Sequence, residues 1–403
     1  MTQRLQPTDR GVKARAVAEA LVVAVDDGAR QSGLSYWQRS RPWMEAVVAE
    51  VGRLPLGDAR DRCERLLAEP ADARAFWQVC ELFAGEPQTA VDPAADLLAT
   101  AWRAMLNSRI GYHLGARYLQ DVADLSVEQL HVAASAEPGP KAADAPVLIV
   151  VPFRDSGTGG QRLRNLMACI AALRDQDFPR DQYQVTVVEE DTEPRWRHVI
   201  ESGCDRYVFA YRDGSFNKSW AVNVGVRHTD PTAELLCVLD ADVLCDRAFV
   251  SRNVARLQRP GTGGHLTYRD MFCLDPAASR RAIVARVGER APAVSWDVLR
   301  GFVLRRPPGA CVWLRTELFW TIGGMDERYE GWGGEDNDFV FRLDLAAPLD
   351  IYRDELLHLH HPPSSQLIDG RGINDHIPPL SWPADSTIGD IDRYRHDLAG
   401  SDG

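Results

Sequence analysis

The hydrophobic positions of residues 12–130 recur at the spacing of α-helices. Apolar side chains repeat every three to four residues within 17–25, 43–51 and 97–105. This spacing places apolar side chains on one face of a helix. Several prolines interrupt the pattern, and proline ends or kinks a helix. The pattern therefore predicts an all-helical accessory domain over residues 1–133, built from short helices.

A different pattern begins after residues 134–146, a small, polar and proline-rich stretch that is typical of a linker. Apolar runs suited to strands alternate from here with helical patterns, and they occupy 147–153, 183–191, 206–211 and 234–242. Alternation of strands and helices is typical of a parallel sheet. We therefore predict an α/β domain at 147–383 with a mostly parallel sheet flanked by helices, and a surface tail at 384–403.

The composition is that of an ordinary globular protein of 403 residues, with 45% apolar and 26% charged residues. The net charge of -12 argues against nucleic acid as the main partner, because a phosphate-binding face needs a basic excess. No apolar run resembles a signal peptide or reaches the roughly 20 residues of a membrane span. The eight cysteines are scattered singly, so we expect reduced, mostly buried thiols in a cytoplasmic protein.

Polar residues follow the predicted strands at the positions where ligands bind in open α/β sheets. Arg154 follows the first strand, Glu190 and Asp191 end the second, and Asp240 and Asp242 end the fourth. Because side chains alternate along an extended chain, the last two carboxylates can point the same way. They would repel each other without a cation, and Mg²⁺ or Mn²⁺ takes oxygen ligands. Aspartate-rich turns are common, so this pair alone is a weak signal that its place after a buried strand strengthens.

The segment GWGGEDNDF, residues 331–339, crowds three carboxylates behind a tryptophan and two glycines. An acidic first turn of a capped helix would account for one of these carboxylates. It leaves the Trp-Gly-Gly sequence in front of them unexplained. We therefore favour a functional role for this segment.

Five motifs occur in an order that resembles one enzyme family. They are VPFRD (151–155), FNKSWAVNVG (216–225), LDADVL (239–244), GGMDERYEGWGGEDNDF (323–339) and HLHH (358–361). Together they resemble the GT-A glycosyltransferases, specifically the inverting β-1,4-galactosyltransferase-like group and the related chondroitin-polymerase-type domains, over about residues 146–365. The resemblance implies a GT-A, Rossmann-like fold and sugar transfer from a nucleotide-sugar donor, with UDP as the expected nucleotide. The segment GWGGED is specific to this group, whereas the DxD pair is not.

The resemblance also implies which residues bind the metal and the donor. Asp242 corresponds to the family's ligand for Mn²⁺ or Mg²⁺ on the donor diphosphate. Two further ligands spaced three residues apart match His358 and His361, although the adjacent His360 leaves the register open. The residues implied to face the donor are Arg154, Glu190, Asp191, Lys218 and Asp240. Lys218 stands where the family has arginine, so a bidentate contact with phosphate is lost.

On the acceptor side, the resemblance implies that Asp336 is the catalytic base that deprotonates the acceptor hydroxyl. Crowding by neighbouring carboxylates suits this residue to accept a proton. The residues implied to bind the acceptor are Trp332, Gly333, Gly334 and Glu335. That acceptor is a carbohydrate, a small molecule or a peptide. Asp338 is expected to cap the helix that follows.

Three other functions compete with this interpretation. A retaining transferase resembling the polypeptide N-acetylgalactosaminyltransferases usually carries asparagine after the glutamate, so Asp336 argues against it. A glycoside hydrolase also uses two carboxylates, but it does not need a DxD pair with downstream histidines. A non-catalytic protein that binds nucleotide sugars would be distinguished by the absence of product.

Overall fold

The structure of the protein is a computed structural model. It describes residues 9–85, 92–135, 145–155, 157–229, 232–331, 333–362, 367–368, 371–383, 385 and 387–395. Trp332 and residues 136–144, which form most of the predicted linker, lie outside the described residues.

Helices and strands follow one another along the described chain. The helices are α1 (Arg10–Val25), α2 (Asp27–Ser32), α3 (Leu34–Arg53), α4 (Asp58–Ala68), α5 (Ala73–Ala84), α6 (Ala95–Asn107), α7 (Val127–Ser135), α8 (Gln161–Arg174), α9 (Arg197–Ile200), α10 (Lys218–Arg227), α11 (Phe249–Leu257), α12 (Pro276–Ile283), α13 (Thr316–Thr321) and α14 (Glu335–Ala346). The strands are β1 (Ile110–Leu114), β2 (Val147–Phe153), β3 (Tyr183–Asp191), β4 (Arg206–Tyr211), β5 (Leu235–Leu239), β6 (Val243–Leu244), β7 (Gly264–Leu266), β8 (Asp270–Leu274), β9 (Arg300–Arg305), β10 (Cys311–Arg315), β11 (Leu349–Ile351), β12 (Leu356–His358), β13 (Leu367–Ile368) and β14 (Arg371–Gly372).

The chain divides into two compact units, and the first takes in the chain up to Leu119 together with Met271–Ala278 and Trp296–Arg306. Helix α1 is apolar on most of its surface and packs against α3, α5 and α6, which accounts for its burial. Arg300, 8% exposed, forms ion pairs of 2.8 Å with Asp26 and 2.9 Å with Asp275. These pairs compensate a charge that would otherwise be costly to bury.

The first unit also contains strands, which differs from the predicted all-helical domain. Strand β1 pairs antiparallel with β9, which lies beside β8 in the same sheet. Tyr112 faces Phe302 in this register. The five residues of β1 are too few for a periodic pattern, and their partner strand lies far along the sequence. The N-terminal segment of the first unit ends at Leu119 rather than near residue 133, since α7 packs against α8 in the second unit.

The second unit is built on a seven-stranded sheet in the order β11-β7-β10-β5-β2-β3-β4. Strands β5, β2, β3 and β4 run parallel, while β10 is antiparallel to both β5 and β7. The sheet is therefore mixed and mostly parallel, as the alternating pattern predicted, with helices flanking it. The first three predicted strands have the observed bounds, and the fourth ends earlier, at Leu239.

Helix α10 lies unusually close to the sheet. A Cβ atom on Gly225 would come within 2.5 Å of Val150 Cγ1 and 2.9 Å of Val188 Cγ2. Trp220, Val222 and other apolar residues of α10 are fully buried in the core against β2 and β3. Glycine is required here because the helix backbone approaches the strands directly.

Residues 387–395 pack on this core and differ from the predicted surface tail. Ile388 is 4% exposed and belongs to the core, and the Tyr394 ring meets Trp220 edge-on. The Trp220 indole donates a hydrogen bond to the Asp390 carbonyl oxygen at 2.9 Å. Because the segment is acidic, the sequence pattern did not indicate that Ile388 and Tyr394 pack against the core.

Two findings concern the predicted environment of the protein. All eight cysteines are buried and none of them forms a disulfide within the described chain, as the sequence indicated. None of the helices in the described part of the chain combines the length and the apolar character that crossing a bilayer requires.

Candidate active site

The carboxyl ends of the parallel strands bring the predicted segments to one edge of the sheet. Strand β2 pairs in parallel with both β3 and β5, so the residues that follow these strands emerge together. Asp240 and Asp242 follow β5, while Glu190 lies near the end of β3. This edge is where open α/β sheets bind ligands.

Asp242, His358 and His361 form a group of three potential metal ligands whose ligand atoms all lie within 4.8 Å of one another. The Nε2 atom of His358 lies 3.3 Å from Asp242 Oδ1, and that of His361 lies 3.1 Å from Oδ2. The Leu359 amide donates to the Asp242 carbonyl oxygen at 2.8 Å, which joins the two segments. Because His358 and His361 are three residues apart, both rings contact the Asp242 carboxylate.

His360 lies outside this group. Its Nδ1 atom is 3.1 Å from Gln161 Nε2, and its carbonyl oxygen accepts hydrogen bonds from Gln161 and Asn165. Its own amide donates to Ser279 Oγ at 2.8 Å. These contacts hold the loop between the two histidines of the group.

The chemistry of this group fits a divalent metal. Despite the short distance to His358, Asp242 Oδ1 is buried without a hydrogen-bond partner among the described residues. Burial raises the pKa of Asp242, but His358 and His361 outweigh it, so the pKa lies well below the ordinary value. Burial lowers the pKa of His358 to about 4, which leaves its imidazole neutral. A carboxylate and neutral imidazoles are the forms that bind metals.

His361 is also oriented by its second ring nitrogen. Its Nδ1 atom lies 2.8 Å from the Pro362 carbonyl oxygen. With the proton on Nδ1 and donated to this oxygen, Nε2 presents its lone pair to the centre of the group. Arg162 Nη2 lies 3.1 Å from the same Nδ1 atom, and in this tautomer it donates instead to the Pro362 carbonyl oxygen at 3.3 Å.

Lys218 connects two carboxylates of the predicted site. Its Nζ atom lies 2.7 Å from Asp240 Oδ1, 2.9 Å from Asp336 Oδ1 and 3.1 Å from Asp336 Oδ2. Burial lowers the pKa of Lys218, but Asp240 and Asp336 outweigh it and raise the pKa above its ordinary value. Burial raises the pKa of Asp240 to about 6, against the opposing effect of Lys218. The structure thus brings the predicted base and the first DxD carboxylate onto one ammonium group.

The segment 331–339 forms a loop that ends in the first turn of α14. Gly333 and Gly334 have φ values of 103° and 100°, a region that favours glycine. Glu335 and Asp336 occupy the first two positions of the helix. Burial, with the nearby Asp336 carboxylate, raises the pKa of Glu335 to about 7. Its Oε2 atom is buried and has no hydrogen-bond partner within the described chain.

Asp338 does not cap α14, contrary to the expectation from sequence. The residue before the helix is Gly334, and no side chain makes a capping hydrogen bond there. Asp338 lies one turn into the helix, where Oδ2 accepts a 2.7 Å hydrogen bond from Arg342. Arg342 also donates to the carbonyl oxygens of Ile322 and Gly324. This carboxylate therefore belongs to the packing beneath the loop.

Glu190 is fully buried at the end of β3. Its carboxylate accepts the Asn217 amide at 3.0 and 3.1 Å and lies 3.5 Å from both Arg154 and Arg212. Burial raises the pKa of Glu190 to about 7. Asp191 instead accepts from the Thr192 amide at 2.7 Å and lies 3.4 Å from Arg195. Arg154 therefore lies beside Glu190, whereas the Asp191 carboxylate contacts residues of the segment that follows β3.

Three buried polar residues, Asn217, Asn223 and Glu327, form a network that the sequence pattern did not indicate. Asn217 caps α10 by accepting the Trp220 amide, and its side chain donates to the Glu327 carbonyl oxygen. The Asn223 side chain bonds both the amide and the carbonyl oxygen of Met325. Glu327 is 1% exposed and accepts from Asn223 and from the Gly389 amide. An asparagine inside an apolar helix is a signal that could have identified this network.

Comparison with known proteins agrees with the motifs. Residues 149–323 match the model described as glycosyl transferase family 2, and residues 306–360 match one described as N-terminal domain of galactosyltransferase. Validoxylamine A glucosyltransferase of Streptomyces hygroscopicus subsp. jinggangensis (strain 5008) is 27% identical over an alignment of 255 residues that covers 53% of this chain and 59% of that protein. Chondroitin sulfate N-acetylgalactosaminyltransferase 2 of Homo sapiens is 30% identical over 168 residues, 40% of this chain and 29% of that protein. The chain thus spans about three-fifths or less of the length of these relatives.

Solved structures of low similarity also align with the chain. S. aureus TarS has a TM-score of 0.38 and 15% identity over 53% of this chain and 60% of the other. The catalytic domain of Drosophila β1,4-galactosyltransferase 7, in complex with xylobiose, has a TM-score of 0.33 and 18% identity over 59% and 83%. Residues 149–323 are thus similar to glycosyl transferase family 2, and the overlapping residues 306–360 are similar to a galactosyltransferase domain.

Proposed function

We propose that this protein transfers a sugar from a nucleotide-sugar donor to an acceptor hydroxyl with inversion, and that it requires a divalent metal. The observation that carries the proposal is the arrangement at one edge of the sheet. There, Asp242 meets two histidines while Asp240, two residues before it, shares Lys218 with Asp336. A hydrolase does not need the group of one aspartate and two histidines. A protein that only binds nucleotide sugars does not need a carboxylate such as Asp336 held by Lys218.

Asp242, His358 and His361 are the residues we propose to hold the metal, Mn²⁺ or Mg²⁺. Two imidazoles favour a transition metal such as Mn²⁺, since Mg²⁺ prefers oxygen ligands. A metal in this position supplies positive charge that stabilises a departing nucleotide diphosphate.

The donor is proposed to lie along the ends of β2, β3 and β5. Asp240 and Arg154 would contact the nucleotide, and Asp191 lies at the neighbouring strand end. Glu190 would position Arg154 rather than contact the donor itself, because its carboxylate already accepts the Asn217 amide. Lys218 was expected to bind the donor, but its ammonium group is already engaged by two carboxylates.

The acceptor hydroxyl is proposed to approach Asp336, in the first turn of α14. The hydroxyl oxygen attacks the anomeric carbon as the bond from that carbon to the phosphate oxygen breaks. Asp336 accepts the hydroxyl proton, and the nucleotide diphosphate leaves with the bonding electrons. Glu335 and the glycines Gly333 and Gly334 would hold the acceptor, together with Trp332. A single displacement from the face opposite the leaving group inverts the anomeric centre.

The identity of both substrates extends the proposal. We propose a UDP-sugar donor and a carbohydrate, small-molecule or peptide acceptor. The names of the two relatives specify a glucosyl and an N-acetylgalactosaminyl group, which makes these two sugars the first to test. The eight buried free thiols support a reducing compartment, which is consistent with the cytoplasm.

A panel of nucleotide sugars with and without Mn²⁺ tests the function. The correct donor should raise the melting temperature in the presence of Mn²⁺, because a ligand that binds only the folded state stabilises it by mass action. The same donor should yield product with an acceptor panel that includes oligosaccharides, small hydroxyl-bearing molecules and peptides. Absence of both stabilisation and product across the panel would refute the proposal. Stabilisation without product would indicate a binding protein.

A further inference from the structure

Lys218 occupies a position where a lysine is unfavourable by itself. It is the first residue of α10, directly after the capping residue Asn217. The amino end of a helix carries partial positive charge, so a cation there is destabilised. Lys218 is also only 9% exposed, and burying an unpaired ammonium group is costly. Some other interaction must therefore maintain this side chain.

The ammonium group of Lys218 is surrounded by carboxylate oxygens. It makes three acceptor contacts, one to Asp240 and two to Asp336. Two carboxylates thus already balance its single positive charge, and both would compete with a phosphate oxygen for its N–H donors. The role of a phosphate ligand, which the resemblance implied, is therefore difficult to reconcile with this geometry.

The two carboxylates come from separate segments of the second unit. Asp240 follows β5, on the donor side, and Asp336 opens α14, on the acceptor side. The loop before β10 supports both, since the Ala310 carbonyl oxygen accepts the Asp240 amide and Gly309 packs against Asp336. Lys218 adds a direct electrostatic connection between them.

We propose that Lys218 is a positioning residue that holds the Asp336 base in register with Asp240, rather than a ligand for the donor. This inference rests on the proposed function, because it presumes that Asp336 removes the acceptor proton. The ammonium group fixes the direction of the Asp336 carboxylate by contacting both of its oxygens. Each oxygen keeps a second lone pair, so the carboxylate can still receive a proton.

Kinetics of Lys218→Met separate the two roles. A positioning role predicts that kcat falls by about 10²-fold, as expected for a reacting group displaced by roughly an ångström. The KM for the donor and the dissociation constant for UDP with Mn²⁺ should change less than about threefold. Lys218→Arg keeps the charge and should recover at least about tenfold of the lost kcat. Lys13→Met in the first unit is the matched control and should resemble the wild type.

A double-mutant cycle tests whether Lys218 acts through Asp336. In an Asp336→Asn background, Lys218→Met should lower kcat by less than about threefold further, because the base is already gone. The same cycle measured by melting temperature should show coupling, with the double variant losing less than the sum of the single variants. If Lys218→Met alone fails to fold, recovery of folding in the double variant is the equivalent result.

The two readouts distinguish failure of this inference from failure of the proposed function. No product from any donor, together with coupled melting temperatures, would refute the function and retain the connection between the two residues. A UDP dissociation constant weakened by tenfold or more with kcat nearly unchanged would overturn the inference and make Lys218 a donor ligand. Additive effects of the two substitutions on both kcat and melting temperature would also overturn it.

Discussion

Gly309 lies so close to Asp336 that a Cβ atom on Gly309 would be 2.0 Å from Asp336 Oδ2. The proposed base therefore packs against bare backbone at Oδ2, an oxygen that Lys218 also contacts at 3.1 Å. The Gly309 carbonyl oxygen also accepts a hydrogen bond from the buried Tyr268 hydroxyl, which restrains the loop. Asp336 is thus confined by both Lys218 and Gly309, and any side chain at position 309 must displace it.

Gly309→Ala should lower kcat by about 10²-fold, since small misplacements of a reacting group have effects of this size. Affinity for UDP and Mn²⁺ should be retained, because the metal ligands lie on other segments. The matched control is Gly52→Ala, where a Cβ atom meets nothing within 4 Å. A Gly309→Ala enzyme with wild-type kcat would show that the position of Asp336 does not limit turnover.

Asp336→Asn keeps the shape of the side chain and removes the base. We expect kcat to fall by about 10² to 10⁴-fold while donor affinity survives. Steady-state kinetics and UDP titration measure the two quantities separately. Asn337→Ala changes the exposed neighbour and serves as the control. The wild-type product of an α-linked donor should carry a β linkage by NMR, and a retained α linkage would contradict a single displacement.

His361→Ala should weaken Mn²⁺ binding by at least the 10 to 100-fold typical of lost supporting contacts. Asp242→Asn should have a larger effect, because the group loses its only carboxylate. Calorimetric titration with Mn²⁺ alone measures both without relying on activity. His360→Ala is the matched control, since that residue lies outside the group. Equal losses for His360 and His361 would move the register by one residue.

The buried carboxyl of Glu190 makes a specific contribution to pH dependence. Because burial raises its pKa from 4.5 to about 7, the folded state binds this proton more tightly than the unfolded state. The resulting stability is fully present below pH 4.5 and is lost as the pH rises to about 7. Its size is on the order of 3 kcal/mol.

Glu190→Gln removes this titration, so the variant should gain stability relative to the wild type between pH 4.5 and 7. Denaturant unfolding at pH 5 and pH 8 gives the two free-energy differences. Glu317→Gln, at an exposed position of α13, should show no such change. A difference between wild type and Glu190→Gln that is independent of pH would mean that Glu190 ionises normally in the folded protein.

The sheet and the metal group could be predicted because their signals are local. Continuous apolar runs define β2, β3 and β4 to the residue, and the acidic residues that follow strands must emerge at one edge. The family resemblance implied His358 and His361 as partners of Asp242 but left the register open at His360, and the structure groups the first two with Asp242. The role of Lys218 could not be predicted, since its two partners lie 22 and 118 residues away.

Other elements escaped prediction for the same reason. Strand β1 has no pattern of its own and is defined by its partner β9. Residues 387–395 look polar, yet Ile388 and Tyr394 bury their side chains against α10. Asp338 resembles a helix cap in sequence but pairs with Arg342 inside the packing. A sequence pattern predicts burial well when the covering residues are close in the chain. It predicts burial poorly when they come from distant segments.

The packing of residues 387–395 on α10 has a consequence for how the protein is made. Arg227 at the end of α10 donates to the Ile388 carbonyl oxygen, and these residues are 161 positions apart. At synthesis rates of about 5 to 20 residues per second, roughly ten seconds or more separate the emergence of the two segments from the ribosome. During that interval, Trp220 and the rest of α10 lack the residues that cover them in the folded protein. The core beside α10 is therefore completed late, and a stalled ribosome would hold a sheet whose core is still exposed to chaperones and proteases.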